Sequence, residues 1–82
     1  MFTNAKYIVI DRDIGGYAMI IFPNFLTHAY MARKIGDNNP IVSAGFINSN
    51  LKCYGDSTSL GLKSREEEDT QLATIMFDTQ SY

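Results

Sequence analysis

The chain is poor in the residues that most often announce a chemistry. It has one cysteine, Cys53, and one histidine, His28, among 82 residues. A lone cysteine cannot close an internal disulfide. With no second cysteine or nearby histidine at metal-ligand spacing, zinc sites and disulfide scaffolds are excluded and a reducing cytoplasm is expected. Positive charge is also scarce, with seven Lys and Arg against nine Asp and Glu and a formal charge of −2. Those seven are scattered, which argues against nucleic acid as a partner, because such binding replaces phosphate counterions with cations clustered on one face. The acidic excess is too small to imitate DNA. Long hydrophobic runs are missing. The longest, Tyr17 to Phe22, falls far short of the roughly 20 residues that span a bilayer. The opening MFTNAKYIVI lacks the basic stretch and extended apolar core of a secretory signal. No metal, cofactor or membrane association is expected.

What is present is enough Ile, Leu, Phe, Tyr and Met to drive burial, in a chain short enough to hold one core. A single domain over residues 1–82 is expected, with pairing to a second copy as a homodimer, because domains of this size lie near the margin of stability. The order of signals is strand, strand, helix, twice over. Lys6 to Asp11 (KYIVID) is a β-branched and aromatic run, and Gly15-Gly16 turns it into Tyr17 to Phe22 (YAMIIF) as a hairpin. Both runs are nearly unbroken in apolar residues, which places them mid-sheet or against another subunit. Pro23-Asn24 stops the second strand, and Asn24 or Thr27 caps a helix with Phe25, Ala29, Ala32 and Ile35 along its stripe. Arg33 and Lys34 suit its last turn and Gly36 its end.

The second unit opens at Ile41 to Ile47 (IVSAGFI), whose small centre at Ser43, Ala44 and Gly45 admits close approach by another backbone or a helix. Leu51 to Gly55 follows, with Leu51 and Cys53 on one face and Lys52 and Tyr54 on the other, and a bulged continuation of this strand is expected through Ser57 to Leu60. Ser64 with Glu67 forms a capping box that opens a second helix, for which Leu72, Ile75 and Met76 form the buried stripe. Residues 5–36 make the first ββα unit and 41–77 the second, with a frayed tail at 78–82. The expected fold is α+β: a two-layer sandwich of order ββαββα, with a mainly antiparallel four-stranded sheet and both helices on one face.

Several residues invite a chemical reading. Gly55 to Ser64 (GDSTSLGLKS) has the glycines, hydroxyls and lysine of a phosphate-binding loop. The spacing differs, since five residues separate Gly55 from Gly61 and Leu62 stands before Lys63. The following acids would repel phosphate from the helix start. His28, at a helix start, is biased toward its neutral form, but no nucleophile and carboxylate are placed beside it. Cys53 reads as a small core residue. Arg65 to Asp69 reads as a solvated helix start whose sharper role, at Glu66, Glu67 and Glu68, is an acidic knob for a basic groove on a partner; Tyr54 is a further interface anchor.

The segments Phe22-Pro23, Thr27-His28 with Ala32, Val42 to Phe46, and Gly55, Ser57 and Ser59 to Arg65 with Glu67 and Asp69 resemble a group of short phage and prophage proteins without assigned function. The resemblance implies a small accessory protein that binds and modulates a host protein, defence machinery included, in the host cytoplasm. It implies no catalytic residues. With no active site legible, the expectation is a protein-interaction module and not an enzyme. The alternative is a dimeric binder of a small ligand or nucleotide, with a pocket formed by His28, Tyr30, Lys63, Ser64 and Arg65.

Overall fold

The computed structural model describes residues 4–36 and 38–77. Its elements in order are β1 (Asn4–Arg12), β2 (Gly16–Pro23), α1 (His28–Ile35), β3 (Ile41–Asn48), β4 (Cys53–Tyr54), β5 (Asp56–Ser57), β6 (Leu62–Lys63) and α2 (Glu66–Phe77). The fold is α+β. Four strands pair antiparallel in the order β2-β1-β3-β4, and β5 and β6 form a separate small hairpin. The tail expected over 78–82 lies outside the described residues.

The unbroken apolar run of β1 is explained by its place between β2 and β3, with a helix over each face. Side chains alternate along a strand, so Ala5, Tyr7 and Val9 point one way, to a cluster with Met19, Ile47, Cys53 and Ala73 of α2. Ile8 and Ile10 point the other way, to Phe22, Ala44 and the Leu26, Met31, Ala32 and Ile35 of the α1 segment. The helices therefore cover opposite faces, which corrects the expected two-layer arrangement with both on one face. The physical reason is that a strand apolar on both sides must bury both. A fully buried aliphatic side chain such as Ile8 contributes about 1.5–3 kcal/mol, an amount forfeited if either face stayed open.

Helix α1 begins where Thr27 Oγ1 accepts the Tyr30 N–H at 2.9 Å, which settles the choice of cap in favour of Thr27. It ends at Gly36, whose positive φ of 86° suits glycine. Phe25 does not join the stripe: it sits in the turn before the cap and is 81% exposed, and Leu26 packs inward in its place.

From β4 onward the chain departs from the expected bulged strand. Gly55, at φ 78°, ends the pairing with β3 after Cys53–Tyr54, and the chain folds back on itself, pairing Asp56 with Lys63 and Ser57 with Leu62. Helix α2 also starts differently. The Ser64 hydroxyl is engaged by Tyr7, and the free Arg65 N–H is taken by the Asp69 carboxylate at 3.0 Å. The inward stripe is then Asp69, Leu72 and Ala73, so Ile75, expected inside, is 80% exposed and Met76 and Phe77 are each 40% exposed.

Candidate functional site

Two polar centres and one open edge concentrate the features that hydrophobic burial does not explain. The first centre lies beneath α2. Tyr7 Oη donates to Asp69 Oδ2 at 2.6 Å and lies 2.5 Å from Ser64 Oγ. A phenol has one proton, and the carboxylate takes it, so the serine hydroxyl is the donor in the second bond. Asp69 also accepts from Arg65 through the backbone N–H, Nε at 3.1 Å and Nη2 at 2.9 Å. Burial, and next the bond to Asp69, push the Tyr7 hydroxyl far above the usual tyrosine range. For Arg65, burial alone would lower the pKa, and the Asp69 carboxylate more than offsets it, raising the guanidinium's pKa.

Tyr7 and Asp69 are both fully buried, so this constellation clamps the start of α2 onto the middle of the sheet and offers no reacting atom to a substrate. Gly45 makes room for it. A Cβ there would stand 2.6 Å from the Tyr54 carbonyl oxygen, 3.1 Å from Ser64 Cβ and 3.3 Å from the Tyr7 ring. The small centre of β3 thus serves close backbone and side-chain approach, as its composition suggests.

The second centre lies on the opposite face, at the start of α1. His28 is buried with its ring edge-on to Phe22 and Phe46, at centroid distances of 5.5 and 5.9 Å. Its Nε2–H donates to the Gly45 carbonyl at 2.9 Å. Burial lowers the imidazole pKa, the carbonyl bond opposes this, and nearby Lys6, itself bound to the Leu26 carbonyl at 2.8 Å, lowers it further. The ring is held neutral and tied to the sheet.

The residues proposed for a ligand pocket are not gathered into one. His28 and Ser64 approach Gly45 from opposite faces of the sheet. Tyr30 is on the outer side of α1 under the Lys34 ammonium, 5.5 Å from the ring centroid. Lys63 is exposed on β6, and Arg65 divides between Asp69 and the Tyr17 ring, 4.9 Å from its centroid. Of the residues proposed for a partner, Glu66, Glu67 and Glu68 are exposed. Tyr54 is used internally: its ring stacks on Phe46 and its hydroxyl donates to Asn4 Oδ1 at 2.7 Å. Cys53 is buried in the core, and burial, then Asp69, push its thiol up to about 11. An open hollow of about 400 Å³ is lined by Lys52, Glu66, Glu67, Thr70 and Gln71.

The open edge is β2. The Asn48 N–H bonds across to Lys52, so even-numbered residues of β3 face β4 and its odd-numbered ones face β1. Carried through the register, this turns the backbone groups of Ala18, Ile20 and Phe22 toward β1 and those of Tyr17, Met19, Ile21 and Pro23 outward. Met19 bears this out, its N–H pointing away from β1 to Met76 Sδ at 3.4 Å. Pro23, which has no N–H, occupies an outward position where none is needed. The outward N–H and C=O of Tyr17 and Ile21 and the C=O of Met19 have no strand partner among the described residues. Helix α2 crosses this face from β4, where Thr70 Oγ1 accepts the Cys53 N–H, to β2, where Met76 meets Met19. Its last turn, with exposed Ile75, Met76 and Phe77, thus stands beside the open edge.

Sequence reasoning missed Tyr7, Asp69 and this edge. The signal for the first two was the four-residue spacing of Arg65 and Asp69 with a tyrosine inside an otherwise aliphatic strand. Among the described residues no helix is long and apolar enough to cross a membrane, and no group of three His, Cys, Asp or Glu could hold a metal ion. Comparisons with protein-family models, with curated proteins and with solved structures found no match.

Proposed function

We propose that the chain is a small protein-interaction module. The observation that carries this reading is the outer edge of β2, unpaired among the described residues, beside the exposed Ile75, Met76 and Phe77. An open row of backbone donors and acceptors next to an apolar shelf is a surface that an extended segment of another polypeptide satisfies. The buried His28, Ser57 and Asp69 are each engaged in structural bonds, which supports a binding role over catalysis. The resemblance to short phage proteins supports a host protein among the partners of an accessory protein carried by a phage or mobile element, defence machinery being one class. The acidic first turn of α2 is a second surface, at the far end of the same helix, that suits a basic partner.

Site-specific photo-crosslinking tests the reading. A crosslinker replacing Ile75, which is 80% exposed, is expected to give discrete protein adducts in cells, while one replacing Lys34 on α1 gives none. Equal background at both positions, with the chain folded by circular dichroism, would overturn it.

A further inference from the structure

We infer that the partner at the β2 edge is a second copy of this chain, joined by antiparallel β2–β2 pairing about a two-fold axis through Met19. This inference rests on the reading of that edge as an interaction surface and names its occupant. With the axis at Met19, the two Met19 residues face each other, and Tyr17 of each copy faces Ile21 of the other. Every outward N–H and C=O of Tyr17, Met19 and Ile21 then gains a partner, and Pro23, the outward position without an N–H, falls at the end of the ladder.

Three further observations favour a second copy. The first is charge. A two-fold pair sets like residues against like, so a charged edge would repel itself, and edge strands are commonly guarded by charge. Strand β2, GYAMIIFP, carries none, and neither does α2 from Gln71 to Phe77. The second is geometry. An axis perpendicular to the sheet keeps α2 on the same face in both copies, and α2 ends over β2, so Ile75, Met76 and Phe77 of one copy meet the same residues of the other. The third is the state of the Met19 N–H, whose acceptor within one chain is a thioether, a weak one. Pairing replaces it with a carbonyl and frees Met76 to pack against its counterpart.

The test combines mass with exchange. Sedimentation equilibrium over about a hundredfold range of concentration is expected to show a reversible dimer of the 9.2 kDa chain. Amide exchange followed by NMR should show the Tyr17 and Ile21 N–H groups gaining protection as the dimer fills. Ile75→Glu, at an exposed position, should weaken dimerisation at least about tenfold, by setting carboxylates face to face, and should leave the far-UV spectrum unchanged. Should the fold not survive that change, Phe77→Glu serves in its place. A monomer throughout the range, or a dimer in which the Tyr17 and Ile21 amides gain no protection, would overturn the inference. The interaction module fails separately, since a monomer whose position 75 still crosslinks to a different protein sinks only the second copy.

Discussion

The two faces of the central sheet are built on different principles although they share the same strands. The α2 face is wired: Tyr7, Ser64, Asp69 and Arg65 form one chain of hydrogen bonds around a fully buried carboxylate. The α1 face is packed: Ile8, Ile10, Phe22 and Ala44 meet the helix through apolar contact, and the buried His28 there is neutral and bonds to the Gly45 carbonyl. The difference teaches where each helix gets its position. Apolar burial is nearly indifferent to small shifts of register, whereas a buried carboxylate with several donors has one geometry that satisfies it. Helix α2 is fixed in rotation and in start point by Asp69, and Ile75 faces solvent as a consequence. Helix α1 is held by its apolar stripe and oriented at its first residue by the imidazole.

The largest effect is expected from breaking the wired face. Asp69→Ala removes the acceptor for Tyr7, for the Arg65 N–H and for its guanidinium together, leaving the buried phenol with Ser64 alone and the half-buried cation with only the Tyr17 ring. Deleting one member of such a buried pair costs about 3–5 kcal/mol, a large share of the 5–15 kcal/mol typical of small domains. Urea unfolding should show the midpoint collapsing toward zero denaturant. A variant with near-native stability would mean that the carboxylate merely fills space and that the contrast between the faces is false.

How much of this was legible follows from the same contrast. The strands β1, β2 and β3, a cap at Asn24 or Thr27 and the Gly36 stop were readable because each is a local signal: apolar runs, a polar side chain before a helix, a glycine after one. The doubled apolar character of β1 was readable too, but not its cause, since a sequence does not say whether a second helix or a second subunit covers the other face. The inward stripe of α2 was misread because Asp69 closes a run of acids that looks solvated as a whole. Three of its members are exposed and the fourth turns inward to Tyr7, 62 residues away in sequence. The same distance problem hid the partner of His28, a backbone carbonyl 17 residues on, which no side-chain motif encodes.

A smaller effect should come from the packed face through pH. His28 has its pKa lowered from 6.5 in the folded chain, chiefly by burial. Below 6.5 the unfolded chain takes up a proton that the folded one resists, so the unfolded state binds more protons there and stability rises with pH. The contribution is complete above 6.5 and is lost as pH falls from there through the lowered folded value. His28→Gln, whose amide N–H can still reach the Gly45 carbonyl, should flatten that part of the stability profile. Comparing unfolding free energies of the two proteins across this interval isolates the histidine, the one side chain in which they differ. Parallel profiles would mean that the imidazole is as well solvated as in the unfolded chain, and the packed face would lose its one pH-sensitive tie.

The smallest effect tests whether the wiring of the α2 face extends along β3. Ser43 pairs with Val9, whose side chain lies on that face, and it is fully buried with no hydrogen-bond partner for its Oγ among the described residues. A buried hydroxyl without a partner carries a desolvation cost of about 1–3 kcal/mol on mutational scales, in part recovered by the packing of the atom itself. Ser43→Ala removes the cost and a single atom of packing, so it should change stability by no more than about 1 kcal/mol, in the stabilising direction. Thermal unfolding is sensitive enough to resolve this, because 1 kcal/mol moves the midpoint of a domain of this size by about 4–8 °C. A clear loss of stability would show that Ser43 bonds to a neighbour through ordered water, extending the polar network of Tyr7 and Asp69 two strand positions further. A gain confines that network to the residues around Asp69, where one carboxylate positions the whole helix.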